Sequence, residues 1–309
     1  MKHKVIVNPI AGKGFGARAI PKITALLTAH HLEFDLVCTE RPGQAVELAC
    51  QAILDGYDTV VAAGGDGTYQ EVINGMMLAV PDARTNGHVI GNLGILPVGS
   101  GCDFTWSVGI SGDLETACAQ LARGQTRRVD VVRLTVDGQT RYFDNELGIG
   151  FEGVVTVETK KIKFLRGLAL YLPAVLKSIL ISLKPAHAVI ECELDGETRR
   201  LEGTYLMIDV CNGGRAGGSF FVAPEAHVGD GLLDLIVVRQ IPRLRMLAMI
   251  PHFLQGTHIK QPDVQTLRAR RVTIVSQDGL LAHADGEMVC TDAHRIECEI
   301  IPQKLNVVC

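Results

Sequence analysis

The chain has 309 residues, with 30 Lys and Arg against 34 Asp and Glu, for a formal net charge of −4. Hydrophobic residues at 47% and charged residues at 21% exclude disorder, a collagen-like repeat and a coiled coil. The near-neutral balance and 5% aromatic content offer no surface for nucleic acid, and the length favours two domains over one core.

Residues 5–7 read as a short strand, followed by a Gly-rich loop over 8–16 and a helix with Ile20, Ile23 and Leu27 on one face. Residues 34–39 form a second strand. After Gly43, the spacing of Val46, Ala49, Cys50, Ile53 and Leu54 predicts a helix, closed by Gly56. Residues 59–63 are a third strand that runs into Gly64-Gly65-Asp66-Gly67-Thr68, and Val72, Ile73, Met76 and Met77 mark the next helix. A fourth strand over 93–96 leads to Pro97-Val98-Gly99-Ser100-Gly101, and Asp113 caps a helix ending at Gly124. Such repeated βα units predict an α/β domain with a mainly parallel sheet.

From about Asp130 the rhythm changes to short strands. Asp137-Gly138 and Asp195-Gly196 sit between alternating segments as hairpin turns, and residues 232–238, 271–275 and 296–301 continue the pattern. Helical character returns only over 160–183 and 242–254. The expected layout is therefore a mainly parallel α/β domain over 1–130 and a mostly antiparallel β domain with a helical insertion over 131–309. The nine cysteines are scattered without a Cys-x-x-Cys pair, as expected for reduced thiols. Residues 1–7 are too short for a signal-peptide core, and Arg166, Pro173 and Lys177 interrupt the most apolar segment. A cytoplasmic protein is the expectation.

Gly64-Gly65-Asp66-Gly67-Thr68 is the strongest chemical signal. It lies where a parallel strand ends and a helix begins, and its glycines let backbone N–H groups approach phosphate oxygens. Asp66 would repel a bare anion there, so it makes sense with Mg²⁺ or a positioned water beside it. The loop over 8–14 is a second phosphate-loop candidate, although no Gly-Lys-[Ser/Thr] closes it. Gly14-x-Gly16-x-x-Ala19, with Glu40, mimics a dinucleotide fingerprint but starts too far beyond Val7.

Asn8-Pro9 with Gly12, Gly64 to Thr68 with Glu71, and Pro97-x-Gly99-Ser100-x-Cys102-Asp103-Phe104 together resemble the bacterial diacylglycerol kinase-like lipid kinases. That family includes sphingosine, ceramide and diacylglycerol kinase catalytic regions, with NAD kinases as distant relatives. Gly217-Gly218, Pro224-x-Ala226, Asp230-Gly231-Leu232-Leu233-Asp234 and Asp285-Gly286-Glu287 extend the similarity through the second half. The resemblance implies that Asn8, Pro9, Ile10, Ala11, Gly12, Thr39, Gly65, Asp66, Gly67, Thr68, Tyr69, Gln70, Glu71 and Ser100 hold ATP. It also implies that Asp66, Asp103 and Asp130 organise water and Mg²⁺, and that Asp230 with the carbonyls of His227 and Leu232 forms a second, structural Mg²⁺ site. The resemblance further implies a nucleotide-binding α/β domain over 1–130 and a β-sandwich over 131–309 whose final residues can pack back on the first domain. Asp285 or Glu287 would supply the catalytic base, with the active site between the two domains.

Two positions depart from the family pattern. Ser100 replaces Thr and keeps a hydroxyl, whereas Cys102 replaces an Asn whose amide both donates and accepts. A catalytic cysteine is the competing reading of Cys102. Asp195-Gly196-Glu197 repeats the Asp285 tripeptide, and its alternating flanks mark it as a hairpin turn. Residues 160–184 mix Lys160, Lys161, Lys163, Arg166 and Lys177 with apolar residues, either as a basic surface for an anionic membrane or as a helix packed on the β domain.

The expected activity is ATP- and Mg²⁺-dependent phosphorylation of a lipid hydroxyl, diacylglycerol first and a sphingoid base next, with transient contact at the inner membrane face. A homodimer is compatible with this. The alternatives are a NAD kinase, for which only Asn145-Glu146 of the expected Asn-Asn-Glu is present, and a non-catalytic nucleotide-binding regulator, which would have lost the base.

Overall fold

Apolar runs without polar alternation suit strands covered on both faces. Val5-Ile6-Val7 and Val60-Val61-Ala62-Ala63 are such runs, and every one of these residues is fully buried. The computed structural model describes residues 1–80, 89–99, 102–162, 168–182, 185–218 and 220–309. These divide into two units, one of Met1–Val131, Val228–Asp230 and Ile301–Cys309, the other of Val132–His227 and Gly231–Ile300.

The first unit runs β1 (Lys2–Val7), α1 (Ala11–Ala29), β2 (Glu33–Cys38), α2 (Gln44–Leu54), β3 (Thr59–Gly64), α3 (Asp66–Ala79), β4 (Asn92–Pro97), α4 (Asp103–Val108) and α5 (Leu114–Arg123). Its strands pair in parallel in the order β2-β1-β3-β4, with Val5 opposite Leu36 and Val61, and Val60 opposite Leu93. Near the end of the chain, Asn306 and Val307 add to the other side of β4 in parallel. This order sets the carboxyl ends of β1, β3 and β4 side by side, the usual ligand edge of an open α/β sheet. At the start of α1, Gly12, Lys13 and Gly14 are left-handed (φ 55°, 56° and 82°), so the Gly-rich loop interrupts the first turn. Asp113 caps α5 by accepting the Thr116 N–H at 2.9 Å, and left-handed Gly124 ends that helix.

The second unit continues with β5 (Thr126–Val136, in this unit from Val132), β6 (Gln139–Phe143), β7 (Glu146–Gly150), α6 (Phe151–Lys161), α7 (Leu168–Lys177), a π-helical turn (Ser178–Ser182), β8 (Ala186–Leu194), β9 (Glu197–Cys211), β10 (Leu233–Arg239), α8 (Arg243–Gln255), β11 (Val264–Ala269), β12 (Arg271–Ala284) and β13 (Glu287–Val308, in this unit to Ile300). Pairing within it is antiparallel. The long strands β9 and β12 are bridged at one end by β7 and at the other by β8. One face buries Leu147, Ile149, Ile208, Val210, Leu235 and Ala282; the other buries Met207, Cys211, Ile236 and Val238 with residues of α6, α7 and α8.

The helical stretch expected over 160–183 is instead two helices and a π-helical turn, and α6 begins at Phe151. Left-handed Gly150 (φ 81°) turns β7 straight into α6, whose β-branched Val154 and Val155 resemble a strand in sequence. Residues 163–167 and 183–184 of that stretch, including Lys163 and Arg166, lie outside the described residues. No helix among the described residues is long and apolar enough to cross a membrane.

Candidate active site

In the first unit the glycine turns pack on one another. A Cβ on Gly99 would stand 2.4 Å from the Gly65 Cα, and one on Gly12 would stand 2.5 Å from the Val98 carbonyl oxygen. Only glycine permits these approaches, so the loops after β1, β3 and β4 form one backbone-lined edge. Asn8 joins two of them: its Nδ2 donates to Thr68 Oγ1 at 3.0 Å and its Oδ1 accepts the Ile10 N–H at 3.2 Å. Tyr69 is fully buried and donates from its hydroxyl to the Gly64 carbonyl at 2.9 Å.

Asp66 opens α3, and its carboxylate turns inward to accept the Cys102 N–H at 2.7 Å and the Phe104 N–H at 3.3 Å. Burial pushes its carboxyl above the usual range, while these backbone donors work against that rise. Asp66 therefore ties the turn after β3 to the start of α4. Its hard oxygen donors are of the kind that fit Mg²⁺. Asp103 is buried in the first turn of α4, and Asp130 is fully buried with Oδ1 accepting the Gln303 N–H at 2.6 Å. Among the described residues these three carboxylates do not form a group with oxygens all within 4.8 Å of one another.

The other expected nucleotide residues divide by role. The Thr39 N–H bonds the Val7 carbonyl at 2.9 Å, and the Pro9 carbonyl accepts the Ala17 N–H at 3.0 Å. Ile10 is 73% exposed, Ala11 and Gly67 are half-buried, and Gln70 is buried. Glu71 faces α2, where its carboxylate accepts the Gly43 and Ala45 N–H groups at 3.0 and 3.2 Å and closes the N-terminus of that helix. Ser100 lies outside the described residues. Asp230 is exposed and belongs to the first unit, whereas His227 and Leu232 belong to the second.

The second unit decides between the repeated tripeptides. Asp137, Asp195 and Asp285 all adopt φ between 44° and 50°, each followed by a left-handed glycine, so all three Asp-Gly pairs are two-residue hairpin turns. Their carboxylates differ. Asp195 is exposed and lies 3.4 Å from Arg270. Asp285 is buried, and its carboxylate accepts the N–H groups of Asp144, Asn145 and Glu146 at 3.2, 3.2 and 2.9 Å. Glu287 is exposed and paired with Lys160 at 2.7 Å.

Residues 2–134 match the sequence model described as "Diacylglycerol kinase catalytic domain", and residues 145–309 match "YegS C-terminal NAD kinase beta sandwich-like domain". The chain belongs to the diacylglycerol kinase and YegS-like lipid kinase family. A "Diacylglycerol kinase" of Bacillus subtilis (strain 168) is 30% identical over 93% of this chain and 89% of the relative. A "Probable lipid kinase YegS-like" of Xanthomonas euvesicatoria is also 30% identical, over 98% and 94%. The fold is shared with a crystal structure of a diacylglycerol kinase from Bacillus anthracis, at TM-score 0.73, 21% identity and coverage of 99% and 96%.

In this lipid kinase Cys102 is held at φ 117°, a left-handed backbone that Asn tolerates better than Cys. Its Sγ lies 3.3 Å from the Tyr69 hydroxyl, and burial, aided by Asp66, pushes the thiol up to about 12. A thiol held neutral in this way is a poor nucleophile, which removes the catalytic-cysteine reading. Cys102→Asn should relieve about 1 kcal/mol of backbone strain, seen as a higher Tm. Wild-type Cys102 should resist iodoacetamide at pH 8 in a mass-spectrometric time course.

Proposed function

We propose that this lipid kinase transfers the γ-phosphoryl group of ATP, with Mg²⁺, to the free hydroxyl of a diacylglycerol. The observation that carries the nucleotide half is the close packing of three glycine turns around Asn8, Thr68 and Asp66. Backbone N–H groups on this edge would hold the phosphates, with Asn8 to Gly12, Thr39 and Gly65 to Gln70 around the nucleotide. Mg²⁺, held by Asp66 with Asp103 or Asp130, would neutralise charge on the phosphates. The acceptor is assigned by analogy with relatives named diacylglycerol kinase.

Of the two candidate bases, Asp285 is the better. Three peptide N–H groups fix its carboxylate, whereas Glu287 is exposed and neutralised by Lys160. As the hydroxyl oxygen bonds to phosphorus, its proton passes to Asp285, and the bond to the leaving ADP oxygen breaks. The direct test offers radiolabelled ATP with dioleoylglycerol, sphingosine or NAD. Labelled phosphatidic acid is expected; phosphorylated NAD, or no transfer to any acceptor, would overturn the proposal.

Membrane contact would rest on the apolar rather than the basic side chains of residues 160–184. Lys160 pairs with Glu287, and both Lys161 and Lys177 pair with Glu158, so much of the basic charge is compensated within the chain. Leu180 and Ile181 nearby are 56% and 69% exposed. These apolar side chains would enter the interface when the enzyme docks. Leu180→Ser/Ile181→Ser should weaken vesicle binding about tenfold or more in a flotation assay, given roughly 1.5–3 kcal/mol for burying each such side chain. Activity on a short-chain, water-soluble diacylglycerol should stay near wild type; an equal loss on both substrates would rule out docking by this surface.

A further inference from the structure

We propose that the second unit holds a divalent transition-metal ion on Glu146, Glu152 and His283, beside the buried carboxylate of Asp209, with none of the residues offered above to Mg²⁺. The strand register creates the grouping. His283 on β12, Gly148 on β7 and Asp209 on β9 stand in one row, on the sheet face that α6, α7 and α8 cover. Glu146 lies two residues before Gly148 on the same face, and Glu152 enters from the first turn of α6.

Gly148 makes the space. A Cβ there would stand 2.4 Å from Glu152 Oε2 and 2.5 Å from His283 Nε2, so both atoms lie directly over its Cα. Ligand atoms of Glu146, Glu152 and His283 all fall within 4.8 Å of one another. Ligands about 2.0–2.2 Å from a metal lie up to ~4.4 Å apart, so the three need close only slightly on an ion. The independent sign is Asp209. It is fully buried, and neither carboxylate oxygen has a hydrogen-bond partner. An uncompensated buried carboxylate is strongly unfavourable unless it meets a proton or a cation.

Size and donor chemistry select the occupant. Glu152 Oε2 and His283 Nε2 both stand over Gly148 with Glu146 close by, the spacing of ligands to a single ion rather than of contacts to an organic cation. Imidazole mixed with carboxylates suits Mn²⁺ or Zn²⁺ better than Mg²⁺. The Gly286 N–H lies 3.3 Å from His283 Nδ1, which puts the ring proton on Nε2, 3.4 Å from Glu152. The ion would replace that proton. It would also brace β7, whose Glu146 N–H holds Asp285, against β9 and β12.

The test is calorimetric titration of the chelator-treated full chain with MnCl₂ and with ZnCl₂, in excess Mg²⁺ to saturate the magnesium sites. One ion per chain is expected for at least one of the two metals, with a rise in Tm. Glu152→Gln and Asp209→Asn should each weaken binding at least tenfold and abolish the Tm rise, while Asp66→Asn should leave binding unchanged. Glu152 is only partly buried, so its variant keeps the test valid if Asp209→Asn does not fold. No binding in excess Mg²⁺, or affinity unchanged in folded Glu152→Gln, would overturn the proposal and show that protons alone satisfy the cluster. Either result leaves the kinase assay with diacylglycerol independent.

Discussion

Asp66→Asn should lower kcat by roughly 10²–10³-fold, the loss typical of removing one preorganised electrostatic group from a reacting centre. The side chain keeps its size, but the charge that would hold Mg²⁺ is gone. One of its two atoms becomes an amide N–H aimed at a backbone donor, either Cys102 or Phe104. That mismatch should cost about 1–3 kcal/mol, so Tm and circular dichroism must accompany the kinetics. Raising Mg²⁺ should recover part of the activity if the residue holds the ion and none if it only braces the loop. A folded variant with near-wild-type kcat would remove Asp66 from the chemistry altogether.

Asp285→Asn should be equally damaging, with a loss of about 10²–10⁴-fold expected for a general base. Asn is the informative replacement because Oδ1 can still accept the Asn145 and Glu146 N–H groups. Asp285→Ala would strand three buried donors and confuse instability with lost catalysis. Asp195→Asn is the matched control: the turn type is identical, but the carboxylate is exposed and meets only Arg270 at 3.4 Å. It should change stability by less than ~1 kcal/mol and leave kcat and KM near wild type. Glu287→Gln should fall between, because it frees Lys160 without disturbing the buried carboxylate. If Asp195→Asn were the inactive variant, the wrong tripeptide would have been assigned.

The same two turns show how far the sequence reaches. Each Asp-Gly pair adopts its left-handed conformation from local sterics, so both hairpins are legible without a partner strand. The βα alternation and the glycine turns after β1, β3 and β4 are equally local, and they were enough to suggest a nucleotide-binding edge. The π-helical turn, α4 and the start of α6 at Phe151 were not legible, because short or β-branched segments carry no distinctive period.

What the sequence by itself determined, then, was turn geometry, strand and helix periodicity, and the order of motifs that places the chain in its family. Only the tertiary structure decided which identical tripeptide holds a buried carboxylate, since the N–H groups that surround Asp285 come from residues 139 to 141 positions away. Only it showed that Glu71 closes the N-terminus of α2, that Glu152 and His283 meet over Gly148, and that Glu146 joins them while Asp209 is buried in the same row. None of them stands at ligand spacing from another in the sequence. Backbone conformation is set by the nearest neighbours along the chain, whereas burial and hydrogen-bond partners are set by strands that meet only after folding.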